Sequence, residues 1–239
     1  MKKVILIYLI MMTTVVAVAD NPFFKPFDGP YETAPFDEIK VEHYEPAFEK
    51  AIVEHKAEID AIAINTESAT FANTIEALEY AGEMLNRVSG VFYNLLSSES
   101  NDEMMEISQR LSPKMSEHSN YINLNDRLFE RVKTVYELRD ELGLTNEQKR
   151  LVEKYYEGFE NSGATLSPKN KEKYRALSME LSKASLEFGQ NNLRETNAYE
   201  MLLTDEADLA GLPQSVIDAA AAKAKSKDKT KSNLEDWRL

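Results

Sequence analysis

The amino-acid sequence predicts an all-α protein, and three observations carry that prediction. Glycine and proline number only 8 each among 239 residues, too few to punctuate many short elements. Long stretches place apolar residues at steps of three and four, the period of an amphipathic helix. Only one short run, Ala198 to Thr204 (AYEMLLT), offers itself as a strand.

The chain starts with Lys2 and Lys3, an apolar run from Val4 to about Val18, and Ala17-Val18-Ala19 before Asp20. A charged start, apolar middle and small-residue site have the order of a secretory signal peptide, so residues 1–19 are expected to be removed. The competing reading is an uncleaved anchor, since the run approaches the length needed to span a bilayer. Cleavage would take the formal charge from -13 to -15. So acidic a balance argues against a nucleic-acid partner, which needs clustered Lys and Arg. With no cysteine, the protein owes nothing to disulfides and carries no cysteine-linked lipid. The expected location is the periplasm or outside the cell, with no membrane attachment after cleavage.

Residues 20–40 alternate Pro22, Pro26, Pro30 and Pro35 with Phe23, Phe24, Phe27, Tyr31 and Phe36. Prolines at that density oppose a helix, while the aromatic rings are costly in water, which predicts an extended arm packed on the body. From Val41, the residues Tyr44, Phe48, Ala51, Ile52, His55, Ile59 and Ile62 form one helical stripe, with Pro46 tolerated in the first turn. Asn73 and Glu76 have capping-box spacing before a second stripe, Ile75, Leu78, Ala81, Leu85, Val88, Val91 and Leu95. Ser100 and Glu103 repeat that spacing ahead of a helix running to about Asn120 past Pro113. A short amphipathic helix then ends near Gly143, and Thr145 with Gln148 opens the next, which reaches Gly163. Ser167-Pro168 supplies an N-cap and a first-turn proline for the longest helix, and Pro213 opens an alanine-rich one. The resulting plan is a single helical domain over 41–226 and a divergent, disordered tail over 227–239; around that boundary Lys223, Lys225, Lys227, Lys229 and Lys231 alternate with small or polar residues.

Chemistry is harder to find. His43 and His55 lie about 18 Å apart along one helix and His118 lies on another, so each reads as a solvated or packed histidine rather than a ligand. The acidic pairs Glu99/Asp102 and Asp102/Glu106 lack calcium-loop spacing and read as solvated helix faces. Arg194, Asn197 and Tyr199 follow a strong helix and read as its polar exit. His-Glu-x-x-His, Gly-x-Ser-x-Gly and a Gly-rich phosphate loop are all absent from the sequence. No catalytic or metal-binding residue is therefore assigned, and substrate-binding residues stay unassigned.

Several segments, in order and spacing, nevertheless carry a resemblance: PFDEIKVEHYEPAFEKAI, TFANTIEALEYAG, RVKTVYELR, NSGATLSPKNKEKYRAL, FGQNNLRETNAY and ADLAGLPQSVIDAAA. From about Asn21 to Lys225 the sequence resembles the N-terminal third of bacterial peptidyl-dipeptidases, the dipeptidyl carboxypeptidases. These belong with oligopeptidase A to the thimet oligopeptidase-like (neurolysin-like) zinc metallopeptidases. The resemblance implies a multi-helix N-terminal domain forming one wall of a deep channel, in an enzyme that releases C-terminal dipeptides from short peptides. It also implies a zinc cofactor held by a His-Glu-x-x-His helix beyond the matched region, so that this chain is a fragment without activity of its own. Its partner would then be the C-terminal catalytic portion, as the rest of one disrupted enzyme or the other chain of a split one. The remaining alternative is a stand-alone periplasmic peptide-binding module.

Overall fold

The computed structural model describes residues 21–99, 101–203, 205–227 and 237–238. The expected signal peptide, Ser100, Thr204 and most of the 227–239 tail lie outside the described residues. The architecture is helical: α1 (Tyr44–Ala63), a π-helical turn (Phe71–Glu76) continuing into α2 (Ala77–Tyr80), α3 (Glu83–Ser98), α4 (Asp102–Asn123), α5 (Asp126–Leu138), α6 (Asn146–Asn161), α7 (Pro168–Ala198) and α8 (Gln214–Lys227). Strand character is limited to an antiparallel pair of two-residue strands, β1 (Leu202–Leu203) and β2 (Trp237–Arg238), so the anticipated strand shrinks to two residues. By compactness the chain divides into two units, one up to Leu186 and one from Glu187, with the division falling inside α7.

The first unit holds two separate apolar cores, and α1 serves both. Its first half gives Tyr44, Phe48 and Ala51 to a core completed by Phe23, Leu85, Val88, Phe92, Ile107 and Leu111. Its second half gives Ile59 and Ile62 to a core built with Ile75, Leu78, Leu128, Val132, Val135 and Val152. A helix of 20 residues is about 30 Å long, long enough for one stripe to reach two cores.

The second predicted stripe is likewise shared, but by a break. Ile75, Leu78 and Ala81 belong to one core, while Leu85 and Val88 belong to the other. Between them Ala81 is extended and Gly82 is left-handed at φ 76°, which ends α2 and starts α3 in a new direction. A Cβ on Gly82 would stand 2.7 Å from His55 Nδ1, so both the backbone angle and the close approach require glycine.

The caps partly follow the sequence. Thr145 and Gln148 form the expected capping box, with bonds of 3.0 and 3.2 Å. The box expected from Asn73 and Glu76 is instead made by Thr70 and Asn73, three residues earlier, because Asn73 Oδ1 accepts from Thr70 N–H at 2.8 Å while Thr70 Oγ1 accepts from Asn73 N–H. At the start of α4 the cap is Asn101, whose side chain accepts from Met104 N–H.

Residues 20–40 are less extended than the prolines suggested, because Pro22 and Pro30 each open a 3₁₀ turn. Phe23 is fully buried and its carbonyl accepts from Arg87, whereas Tyr31 and Phe36 remain exposed. The aromatic packing of this segment is thus at its beginning, and Ile39 packs against the same core at its end. Asn21 anchors it by donating to His43 O at 2.7 Å.

The second unit contains the end of α7, a 3₁₀ turn at Glu206–Leu209, α8 and the β1–β2 pair. Leu209, Ala220 and Ala224 are its buried apolar residues among those described. Lys223, Lys225 and Lys227 lie within α8, while Lys229 and Lys231 lie outside the described residues.

Candidate functional site

The helices α1 and α4 pack side by side in the same direction, and a row of polar contacts joins them. Glu45 meets Arg110 at 3.0 Å, Glu49 meets Lys114 at 2.5 Å, His55 meets His118, and Asp60 accepts from the Tyr121 hydroxyl. The charged pairs at the N-terminal end are partly solvated and add little stability individually. The histidine pair is different. His55 Nδ1 and His118 Nε2 are 3.0 Å apart with the rings edge to face, and His118 is only 3% exposed.

That pair joins two residues 63 positions apart in sequence, which separate readings of His55 and His118 did not bring together. One nitrogen of the pair must donate and the other accept, so at least one of the two rings is neutral. Burial holds His118 well below the usual histidine range, at about 4, and the neighbouring His55 and Lys56 act in the same sense. Burial also lowers His55, opposed in part by the Glu58 carboxylate. Glu58 is itself engaged, since its Oε2 accepts from Gly82 N–H at 2.7 Å. The Gly82 break, Glu58 and the histidine pair therefore form one connected device at the meeting of α1, α3 and α4.

As chemistry the pair has little reach. The nitrogens that face each other bond each other, and the other nitrogen of His118, Nδ1, is buried without a partner. Among the described residues no group of three His, Asp or Glu side chains is placed to hold a metal ion. The ligand set that zinc requires, three or four convergent nitrogen or carboxylate donors, is not met by these residues. His43 is occupied elsewhere, with Nδ1 accepting from Lys40 N–H at the start of α1. Glu99 and Asp102 flank the α3–α4 junction, Asp102 in the first turn of α4 where a negative charge favours the helix. Arg194 and Asn197 lie on the last turns of α7, and Tyr199 follows them, exposed.

A cleft of about 440 Å³ lies between α4 and the first half of α7. Ser108, Ser112, Ser116 and Ser119 line it from α4 and Tyr174, Ser178, Ser182 and Leu186 from α7, while Asn120 donates to Ser178 Oγ at 2.8 Å. The lining carries no charged side chain, only hydroxyls, amides and a few apolar groups. The signal for it was present in the sequence as serines at steps of four, four and three, a helical period in polar residues that a search for apolar stripes passes over.

A third polar centre is structural. Arg131 on α5, 8% exposed, donates to Asn65 O, Glu67 O, Asn73 Oδ1 and Thr74 Oγ1 at 2.8 to 3.2 Å. It fixes the loop after α1 against the π-helical turn.

No protein-family model matches the chain. Among curated proteins it is 38% identical over 207 residues to dipeptidyl carboxypeptidase of Escherichia coli (strain K12), covering 87% of this chain and 30% of that protein. It is 34% identical over 210 residues to dipeptidyl carboxypeptidase of Salmonella typhimurium, covering 88% of this chain and 31% of that protein. Oligopeptidase A of Salmonella typhimurium is 28% identical over 208 residues, 87% of this chain and 30% of that protein. The chain thus spans about a third of the length of the curated relatives it matches. It is a homologue, over nearly the whole of its own length, of the dipeptidyl carboxypeptidases and oligopeptidases A of the thimet oligopeptidase family.

Proposed function

We propose that this chain is the substrate-channel portion of an exported, zinc-dependent peptidyl-dipeptidase and does not catalyse peptide hydrolysis by itself. The observation that carries the reading is the 38% identity to dipeptidyl carboxypeptidase across 87% of this chain, in a sequence from which His-Glu-x-x-His is absent. The described residues bring only His55 and His118 together, and those two satisfy each other. The helices then contribute shape: a wall that admits short, unstructured peptides to chemistry placed outside this chain. Releasing dipeptides from the C-terminus of short peptides is the activity of the complete enzyme in this proposal, with zinc held in that other portion.

The experiment is to incubate the purified chain with a blocked tripeptide and a tetrapeptide, with and without added zinc, and to measure dipeptide release by chromatography. No release above buffer is expected. Zinc-dependent release at enzymatic turnover would overturn the proposal.

The serine-lined cleft favours a second reading, a periplasmic module that binds peptides without cleaving them. Neutral hydroxyl and amide groups suit the neutral amides of a peptide backbone, and no charge in the lining demands a charged ligand. Titration of the chain with a blocked tripeptide, followed by amide NMR shifts at Ser112 and Ser178, discriminates the two. Saturable shifts confined to the cleft support the module, and their absence leaves the scaffold reading alone.

A further inference from the structure

The helices α4 and α7 run antiparallel along the serine-lined cleft and are tied together at one end of it. Lys171 donates to Leu124 O at 3.2 Å and pairs with Asp126, and Asn120, 5% exposed, bonds Ser178. The next facing positions, one turn back on α4 and one turn on along α7, are Ser116 and Ser182, and among the described residues no hydrogen bond joins them. Serines within helices commonly donate to a carbonyl of their own preceding turn. Ser97, Ser98, Ser108, Ser178 and Ser226 do so. Ser112, Ser116 and Ser182, all half-buried, have no such bond and no other protein partner among the described residues. Tyr93 of α3 also lines the cleft, and burial pushes its hydroxyl up, which keeps it a neutral donor. The cleft thus holds a set of hydroxyls whose donors and acceptors the fold leaves unused.

The spacing of these hydroxyls selects the shape of a ligand. Ser108, Ser112 and Ser116 stand four residues apart, so successive side chains of the row are about 6 Å apart along α4, and Ser178 and Ser182 repeat the step on α7. An extended peptide turns its amide groups to one edge at every second residue, about 6.6 Å apart, and the intervening ones to the other edge. Two serine walls in nearly the same step match the two edges of one such strand. From Ser108 to Ser116 the row covers about 12 Å, the length of about four extended residues. Charge sets a second limit. No charged side chain lines the cleft, so a chain terminus or an ionised side chain held there loses water without gaining a counter-ion. We propose that the cleft holds an uncharged interior stretch of an extended peptide, about four residues long, by its backbone, and turns away chain termini and charged side chains. The proposal rests on the peptide-binding reading above and specifies which part of a peptide is taken.

The test titrates the full chain with peptides and follows amide NMR shifts at Ser116 and Ser182, with Val53, exposed on α1, as the distant control. The probes are a six-residue peptide of alanine and serine with both ends blocked, the same peptide with free ends, and a free-ended tetrapeptide of the same composition. Two further blocked six-residue peptides carry aspartate, or lysine, at both central positions, because neighbouring side chains of a strand face opposite ways. The blocked and free six-residue peptides should bind within about twofold of each other, whereas the tetrapeptide and both charged peptides should bind about tenfold or more weakly. Ser116→Ala and Ser182→Ala should each weaken the blocked peptide about fivefold with circular dichroism unchanged, since alanine suits a helix. Ser116→Asp should make the lysine peptide bind more tightly than the aspartate one. Equal binding of neutral and charged peptides, tightest binding of the tetrapeptide, or unchanged affinity in both alanine variants would each overturn the proposal. No saturable shift from any peptide would overturn the peptide-binding reading with it, so the two failures are distinguishable.

Discussion

Acid should weaken the first unit in a window set by His118, and the expected size follows from the structure. His118 is held at about 4 in the folded chain against an ordinary histidine value of 6.5, so the unfolded chain binds a proton that the folded one refuses. Stability therefore falls as pH drops below about 6.5 and levels off, for this residue, once pH passes below about 4. Between pH 7.5 and 5 the loss from His118 alone is about 2 kcal/mol, at 1.36 kcal/mol per pH unit. The effect on His55 has the same sign. Glu45, lowered chiefly by its hydrogen bond to Arg110, loses its contribution only below the ordinary carboxylate range, so pH 6.5 to 5 isolates the histidines.

The assay is urea unfolding followed by circular dichroism at pH 7.5 and pH 5, for the parent and for His118→Gln. Imidazole NMR titration, simple with three histidines, reports the individual values. The parent's advantage over the variant should shrink by about 2 kcal/mol on going to pH 5. A difference independent of pH, or a His118 titration at 6.5 or above, would refute the idea that burial and the facing His55 ring keep this residue neutral.

Other substitutions test the remaining contacts. Arg131→Met keeps the length of the side chain but removes four hydrogen bonds between α5, the loop after α1 and the π-helical turn; a loss of about 3 kcal/mol in urea unfolding is expected. Gly82→Ala should cost about 2–3 kcal/mol, from the left-handed angle and the approach to His55, and the same change in a His55→Ala background should cost only about 1 kcal/mol. Equal costs in both backgrounds would show that the ring is not what excludes a Cβ. Thr145→Ala removes the capping box of α6 and should lower stability by about 1 kcal/mol, with Thr145→Ser near neutral.

The helical class was legible because apolar periodicity is a local property, and so was the Thr145–Gln148 box, whose partners are three residues apart. What the sequence concealed arises from packing. The stripe from Ile75 to Leu95 reads as one helix, since nothing in its spacing shows that Gly82 turns the chain between two cores. Asn73 with Glu76 and Thr70 with Asn73 are both acceptable caps locally, and Arg131, distant in sequence, bonds Asn73 in the second arrangement. The aromatic residues of 20–40 look alike in sequence, but only those near Asn21 reach the core. The His55–His118 pair was hidden for the same reason, because helix register decides it and composition does not.

In the proposed function, zinc is held outside this chain. Equilibrium dialysis of the purified protein against nanomolar free zinc tests this most directly. No zinc should be retained in stoichiometric amount, because the two histidines that meet bond each other and, among the described residues, no third ligand joins them. One equivalent of zinc held at nanomolar concentration, and lost on replacing His55 or His118, would contradict it.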